Sequence, residues 1–511
     1  MPILGNVVKR ALHLRKRIHL KRGEPLSYQE RVLKKLLQAA KDTDFGRHYR
    51  FAQLLKSPQL IADFQSKVPM HNYISMYRQW WHRAMEGEEN VFWPGKMKYF
   101  ALSSGTSEAS SKYIPVSKEM LKAVTKASVK QFYSMANFKL PPETFEKGIF
   151  TLGSSTNLIR QGDYFIGDMS GIQAGNSIPF WVNRFIKPGK DISAVRDWDE
   201  KLAEIAKNAP KWDIGVLCGI PVWIQIMIER ILEHHKTDNI HEIWPNLNVY
   251  IHGGINFEPY RKNFDQLFGR PVTLIETYMA SEGFFGFRAH PDATGIHFIL
   301  NNGIFYEFVP FKDAYFDQNG DLLPDAKACH IGQVEKGVDY AVLISTVSGA
   351  WRYLIGDTVR FLDTETKEFI ITGRTKHFLS ICGEHLSVDN MNRAVQMTAD
   401  EVGATFAEFT VSGIPHGNLF AHRWYIGVDQ EGLDKAQVRQ ILDRHLRDLN
   451  DDYATERDNV LKDIQVELIP TDWFYAFLRK TAKVGDQVKF PRVMKAERFK
   501  EWEAHVAQMT P

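Results

Sequence analysis

The chain reads as an α/β protein: a large layered part, a β-rich stretch after it, and a small α+β domain at the C-terminal end. Three observations predict this. Short apolar strands alternate with helical segments between 148 and 277. Strands follow one another from 297 to 372, as in the apolar runs 304–309 and 340–346. Beyond that, strands enclose an amphipathic helix carrying Val438, Ile441, Leu442, Leu446 and Leu449.

At 511 residues the chain exceeds what one core supports, which predicts two or three domains. Hydrophobic content of 44% and charged content of 24% are those of a globular protein. A net charge of +3, with no aromatic-interleaved basic run, gives no reason to expect nucleic acid as a partner. Cys218, Cys329 and Cys382 are far apart and odd in number, which fits neither a disulfide framework nor a zinc site and suits a reducing compartment. The N-terminus has no signal-peptide layout. The longest apolar run, 214–228, is interrupted by Gly219, Pro221 and Gln225 and is too short to span a bilayer, so a soluble, cytoplasmic protein without stable membrane insertion is expected.

In chain order, 7–22 is rich in Lys and Arg, with Val7, Ala11, Leu14 and Ile18 at helical spacing; it reads as a surface helix with one packed face or as a membrane-surface helix. Residues 29–40 form a second helix on Val32, Leu33, Leu36 and Leu37. The aromatics Tyr73, Tyr77, Trp80 and Trp81 read as core. A polar loop, 102–117, then leads into a helix with Ser117 as its N-cap. Strands are predicted at 148–153, 213–218, 247–254 and 271–277. Pro221 opens a helix that runs to Leu232, and another helix covers about 259–268. The β-rich stretch holds 297–300, 304–309, 340–346, 351–362 and 368–372. The turn 373–376 is read as the domain boundary. The tail has strands 408–411, 424–428 and 464–469, the amphipathic helix between the last two, and a helix from Asp472.

Four polar clusters carry the chemistry. Ser103, Ser104, Gly105, Thr106, Ser107 and Lys112 offer hydroxyls, backbone N–H groups and a cation, which a phosphate chain requires and which a solvated turn also has. Tyr278, Ser281 and Glu282 follow a strand and put an aromatic face, a hydroxyl and a carboxylate together; the carboxylate suits a magnesium ion on phosphate oxygens. Asp357, behind Gly356 in a tight turn, suits two ribose hydroxyls. Lys489 precedes a turn stiffened by Pro491. No Walker loop, dinucleotide fingerprint, zinc-histidine pair or nucleophile elbow is present.

Taken together and in order, these clusters resemble the Gretchen Hagen acyl acid–amido synthetases of the adenylate-forming superfamily. The resemblance is carried by the 103–112 loop, His252-Gly253-Gly254 with Pro259-Tyr260, Tyr278 to Glu282, and Arg352-Tyr353 with Gly356-Asp357. Gly373-Arg374 before Leu379-Ser380, and Gln487 to Arg492, complete it. It covers nearly the whole chain. Ala109 and Ser110 replace a glycine common in such loops, and His385 stands where relatives often have Lys.

The resemblance implies a large N-terminal adenylate-forming domain, 1–376, that binds ATP and the acyl acid. It also implies a small mobile α+β domain, 377–511, that carries the adenylation lysine. A carboxylic acid attacks the α-phosphate of ATP, and an amino acid amine then takes the acyl group and releases AMP. The implied roles are Ser103, Ser104, Gly105, Thr106, Ser107 and Lys112 on phosphates, with Ser281 also contacting phosphate, and Glu282 on Mg²⁺. Tyr278 and Gly254 would hold adenine, Asp357 and Arg374 ribose, and Lys489 would bridge carboxylate and α-phosphate. Phe132, Tyr133, Trp223 and Phe284 are the acyl-pocket candidates. An acyl-CoA synthetase, using the same first step, and a non-catalytic acyl or nucleotide binder are the alternatives.

Overall fold

A computed structural model describes residues 24–510 except 107–108, 177–183, 255–256, 258–259, 313, 318–319, 376–377, 380, 385, 431, 482–489 and 495. The expected helix at 7–22, and Ser107, Pro259, His385 and Lys489, lie outside the described residues; so do the side chains of 104–111. The chain divides into two compact units, Met1–Leu102 with Tyr113–Thr375 and Ser103–Lys112 with Lys376–Pro511.

The first unit is built on one long sheet. Its strands are β3 (Gly148–Thr151), β6 (Ile186–Lys187), β7 (Ile214–Gly219), β8 (Val249–Gly253), β9 (Thr273–Ala280), β10 (Gly283–Phe287), β11 (Ile296–Phe298), β12 (Ile304–Pro310), β13 (Cys329–His330), β14 (Asp339–Thr346), β15 (Tyr353–Asp363) and β16 (Glu368–Arg374). Their order is β13-β12-β14-β15-β16-β11-β10-β9-β8-β7-β3-β6. From β6 to β9 all pairs are parallel; from β9 onward they are antiparallel. Connection length explains the change. Long helical crossovers such as Pro221–His235, between β7 and β8, permit parallel neighbours, whereas the two-residue link after β9 permits only a hairpin. A second sheet, in the order β2-β1-β5-β4, holds β1 (Tyr99–Thr106), β2 (Ala109–Val116), β4 (Ile159–Gln161) and β5 (Tyr164–Gly167).

The helix Pro25–Ala40 starts on a proline and buries Val32, Leu33, Leu36 and Leu37, the predicted stripe. It also buries Gln29, whose amide nitrogen donates to the carbonyls of Leu300 and Ile304 while its oxygen accepts from the Tyr306 N–H. Such pairing is what a buried amide requires. Tyr73, Trp80 and Trp81 pack into the same core, as their density predicts. Ser117 caps the helix Lys118–Ser134 by accepting from Met120 N at 3.0 Å.

The second unit opens with a short antiparallel pair, β17 (Phe378–Leu379) and β18 (Leu386–Ser387). Its main sheet contains β19 (Glu408–His416), β20 (Leu419–Gly427) and β21 (Leu461–Ile469) in that order, the last pair parallel. The amphipathic helix Lys435–Leu449 makes the crossover between β20 and β21, followed by Asp451–Asn459. Tyr425, Phe474, Phe477, Phe490 and Trp502 form a core here. The helices Val388–Val402 and Ala496–Met509 went unread in the sequence.

Four local expectations are corrected. The polar loop at 102–117 is largely the paired strands β1 and β2, because Thr106, Tyr113, Ile114 and Val116 favour extended backbone and only two residues link the strands. Tyr278 lies within β9 rather than after it; only Ser281 and Glu282 form the turn. Asp357 lies within β15, not in a turn: Gly356, at φ +93°, makes an irregularity inside the strand where register slips against β14. Gly373 and Arg374 are the last residues of β16 and not a turn after it. Among the described residues no helix is long and apolar enough to cross a membrane.

Candidate functional site

Four of the predicted residues meet in the first unit. Asp357 and Arg374 are direct partners across the β15–β16 pair, and Arg374 Nε lies 3.0 Å from Asp357 Oδ1. The hydroxyl of Tyr278 donates to Asp357 Oδ2 at 2.7 Å. In strand order β16, β11 and β10 lie between β15 and β9, so this bond forms only because the sheet curls far enough to bring its faces inward. Phe285 and Phe369 fill the inside of the curl; their ring centroids are 4.7 and 6.0 Å from that of Tyr278.

Glu282 sits in the two-residue turn between β9 and β10, yet it is only 8% exposed. Burial of a carboxylate at a hairpin tip is costly unless partners offset it. The charges of Asp357, Arg374 and Glu282 all reach the Tyr278 hydroxyl. Burial first, then Asp357, raises its pKa far above the ordinary 10, so it stays protonated as a donor. The wholly buried Tyr353 lies beside Glu282 and behaves alike: burial, then the Glu282 charge, raises its pKa well above 10. No local pattern marks Tyr353 for a role; its place beside Glu282 depends on the curl.

The glycine turn after β8 borders this region in the strand order. A Cβ on Gly253 would stand 2.2 Å from the Thr277 carbonyl oxygen, so β8 and β9 approach this closely only with glycine there. Gly254 follows at φ +87°, with Ile220 against the position a side chain would take. Thr277, next to Tyr278, accepts from the buried amide of Gln131.

The remaining expected residues are placed as follows. Ser281 is half-buried in the hairpin turn, and Ser103 and Lys112 are half-buried in β1 and β2. The acyl-pocket set does not share one packing group. Phe132 packs with Met135, Phe138 and Phe145, whereas Phe284 belongs to the main core beside Phe287. Trp223 stacks edge-on to Trp198 at 4.4 Å, and Tyr133 is half-buried.

Arg352 and Glu384, within or beside the motifs, have structural partners of their own. Arg352 forms a buried pair with Glu307 and donates to the carbonyls of Gln65 and Val68, both at 2.7 Å. In the second unit, the fully buried Glu384 accepts from the N–H groups of Ile381, Cys382 and Gly383 and from His422 Nε2 at 2.8 Å. Burial alone would raise its pKa, but the His422 contact and the backbone donors hold it well below the ordinary 4.5.

Comparison with known proteins matches the GH3 family N-terminal domain over residues 14–203 and 163–273, its central domain over 297–374 and its C-terminal domain over 389–498. The chain is 26% identical over 212 residues to the probable indole-3-acetic acid-amido synthetase GH3.1 of Arabidopsis thaliana, covering 38% of this chain and 33% of that one. It is 20% identical over 435 residues to the jasmonoyl–L-amino acid synthetase JAR4 of Nicotiana attenuata, 73% of each. The chain spans about a third of the length of the first curated relatives it matches. Among solved structures, the acyl acid amido synthetase AtGH3.15 in complex with 2,4-DB is similar at a TM-score of 0.56 and 16% identity, over 94% of this chain and 93% of that one. A 2-hydroxyisobutyryl-CoA ligase in complex with 2-HIB-AMP and CoA reaches 0.59 at 12% identity over the same shares. Both likenesses concern the fold. With the three domain profiles following one another along most of the sequence, the chain belongs to the GH3 family.

Proposed function

We propose that the protein is an ATP-dependent acyl acid–amido synthetase of the cytoplasm. It adenylates a carboxylic acid with release of pyrophosphate, then transfers the acyl group to the amine of an amino acid with release of AMP. The observation that carries this is the convergence of Tyr278, Glu282, Asp357 and Arg374, from three separate stretches of sequence, on one cluster in which the first three are buried and Arg374 half-buried. Membership of the GH3 family and the activities of its relatives support the same reading.

The chemistry needs activation because a carboxylate is a poor electrophile and AMP leaves far more readily than oxide. The first step sets an anion against a polyanion, so alignment and positive charge supply most of the catalysis. Asp357 and Arg374 hold the ribose, Tyr278 and Gly254 the adenine, and Ser103 to Ser107, Lys112 and Ser281 the phosphates. Lys489 supplies the cation between the attacking carboxylate and the α-phosphate. Phe132, Tyr133, Trp223 and Phe284 remain the proposed acyl-pocket residues. Magnesium characteristically takes one or two carboxylates with phosphate oxygens. The buried Glu282 fits that donor set, and the ion would neutralise phosphate charge there.

The test is acid-dependent exchange of labelled pyrophosphate into ATP across a library of carboxylic acids. The acyl-adenylate is then offered a panel of amino acids and, separately, coenzyme A. Exchange with at least one acid and amide formation is the expected result. Thioester formation alone would move the protein to acyl-CoA synthesis, and no exchange with any acid would leave a binder.

A further inference from the structure

We infer that Tyr278 is a positioning residue that works through its hydroxyl on Asp357, setting the carboxylate for the nucleotide's ribose. This rests on the proposed reading of the site as an ATP site and assigns within it a role that the sequence motif did not carry.

Geometry supports the assignment. The ring is 5% exposed and packed against Phe285 and Phe369, which holds the hydroxyl in place. The hydroxyl is committed to Asp357 Oδ2 at 2.7 Å, while Arg374 takes Oδ1 at 3.0 Å. A carboxylate clamped from both sides by a phenol and a guanidinium has one orientation. It still has lone pairs to spare, since an ionised carboxylate offers about four acceptor positions. Two vicinal hydroxyls need such a fixed acceptor, because each O–H must find a lone pair without the carboxylate rotating away. Asp357 stands on an irregular segment of β15 beside Gly356, at φ +93°, where the ladder holds the backbone less firmly. The side-chain clamp substitutes for that lost constraint.

One substitution tests the role of the hydroxyl. Tyr278→Phe keeps the ring and its packing and removes only the hydroxyl. If the hydroxyl positions Asp357, binding of AMP measured by calorimetry should weaken about tenfold, the usual scale for a hydrogen bond to a charged group. Binding of 2′,3′-dideoxy-AMP, which lacks the diol, should not change, and Tyr278→Phe with Asp357→Asn should be less than additive. If Tyr278→Phe binds AMP like the unaltered protein, the inference is overturned. Asp357→Ala separates this from a failure of the site reading. Where Asp357→Ala loses the preference for AMP over the dideoxynucleotide and Tyr278→Phe keeps it, only the role of Tyr278 is wrong. Where Asp357→Ala also keeps it, the ribose assignment falls and the inference with it.

Discussion

Arg352 Nε lies 3.1 Å from both carboxylate oxygens of Glu307, with the two side chains 5% and 0% exposed. Arg352 holds a left-handed backbone at φ +43° and its Nη1 ties down the carbonyls of Gln65 and Val68 at the end of the helix Leu60–Lys67. The pair therefore joins the N-terminal helices to β12 and β15. Removing one partner leaves an unpaired buried charge, so Glu307→Ala should cost about 3–5 kcal/mol of stability. Urea unfolding followed by circular dichroism should show a lowered midpoint at an unchanged slope.

Gly253→Ala should act on both stability and nucleotide binding. The added Cβ would meet the Thr277 carbonyl at 2.2 Å, and a strand backbone held by neighbours on both sides has little room to yield. A destabilisation of at least about 1–3 kcal/mol is expected. Because Tyr278 follows Thr277, AMP affinity should fall as well; Gly175→Ala, in the helix Met169–Asn176, where the nearest atom to an added Cβ is 4.0 Å away, is the control.

Acid should weaken the fold in two separate steps. His71 donates from Nδ1 to the Trp351 carbonyl at 2.8 Å and is buried; burial lowers its pKa from 6.5 to about 4. Between those values the unfolded chain binds the proton and the folded one does not, so stability is full above 6.5 and falls as pH drops. At pH 5 the loss should be about 2 kcal/mol. His71→Gln should reduce the slope of urea midpoints measured between pH 7 and 5, leaving the share of His241 and His330, whose pKa values burial also lowers. Glu384 acts lower: its pKa in the fold lies below 4.5, so its contribution is complete above 4.5 and is lost as pH falls through the lowered value. The difference between the protein and Glu384→Gln should therefore shrink only below pH 4.5.

Lys489→Ala should separate binding from chemistry. Acid-dependent pyrophosphate exchange is expected to fall by about 100- to 1,000-fold, the scale of losing one preorganised electrostatic contact to the reacting group. Affinity for ATP should stay within a few-fold of the unaltered protein. Full exchange in the variant would remove Lys489 from the mechanism.

By itself the sequence determined the features that depend on neighbours a few residues away. Apolar spacing set the stripes of Pro25–Ala40 and Lys435–Leu449, Ser117 set a cap, Pro221 a helix start, and strand–helix alternation the parallel half of the sheet. It also named Tyr278, Glu282, Asp357 and Arg374, because their residue types in that order resemble a known set of motifs. Only the tertiary structure decided how they meet. Tyr278 and Asp357 stand 79 positions apart in sequence, on strands separated by three others, and no local pattern encodes how far the sheet curls to join them. Whether a tyrosine hydroxyl finds a partner depends on where the fold sets it, here against Asp357. The buried pairs Arg352–Glu307 and Glu384–His422 were invisible for the same reason. A charged residue is read from sequence as solvated, and only burial by distant segments obliges it to find a partner.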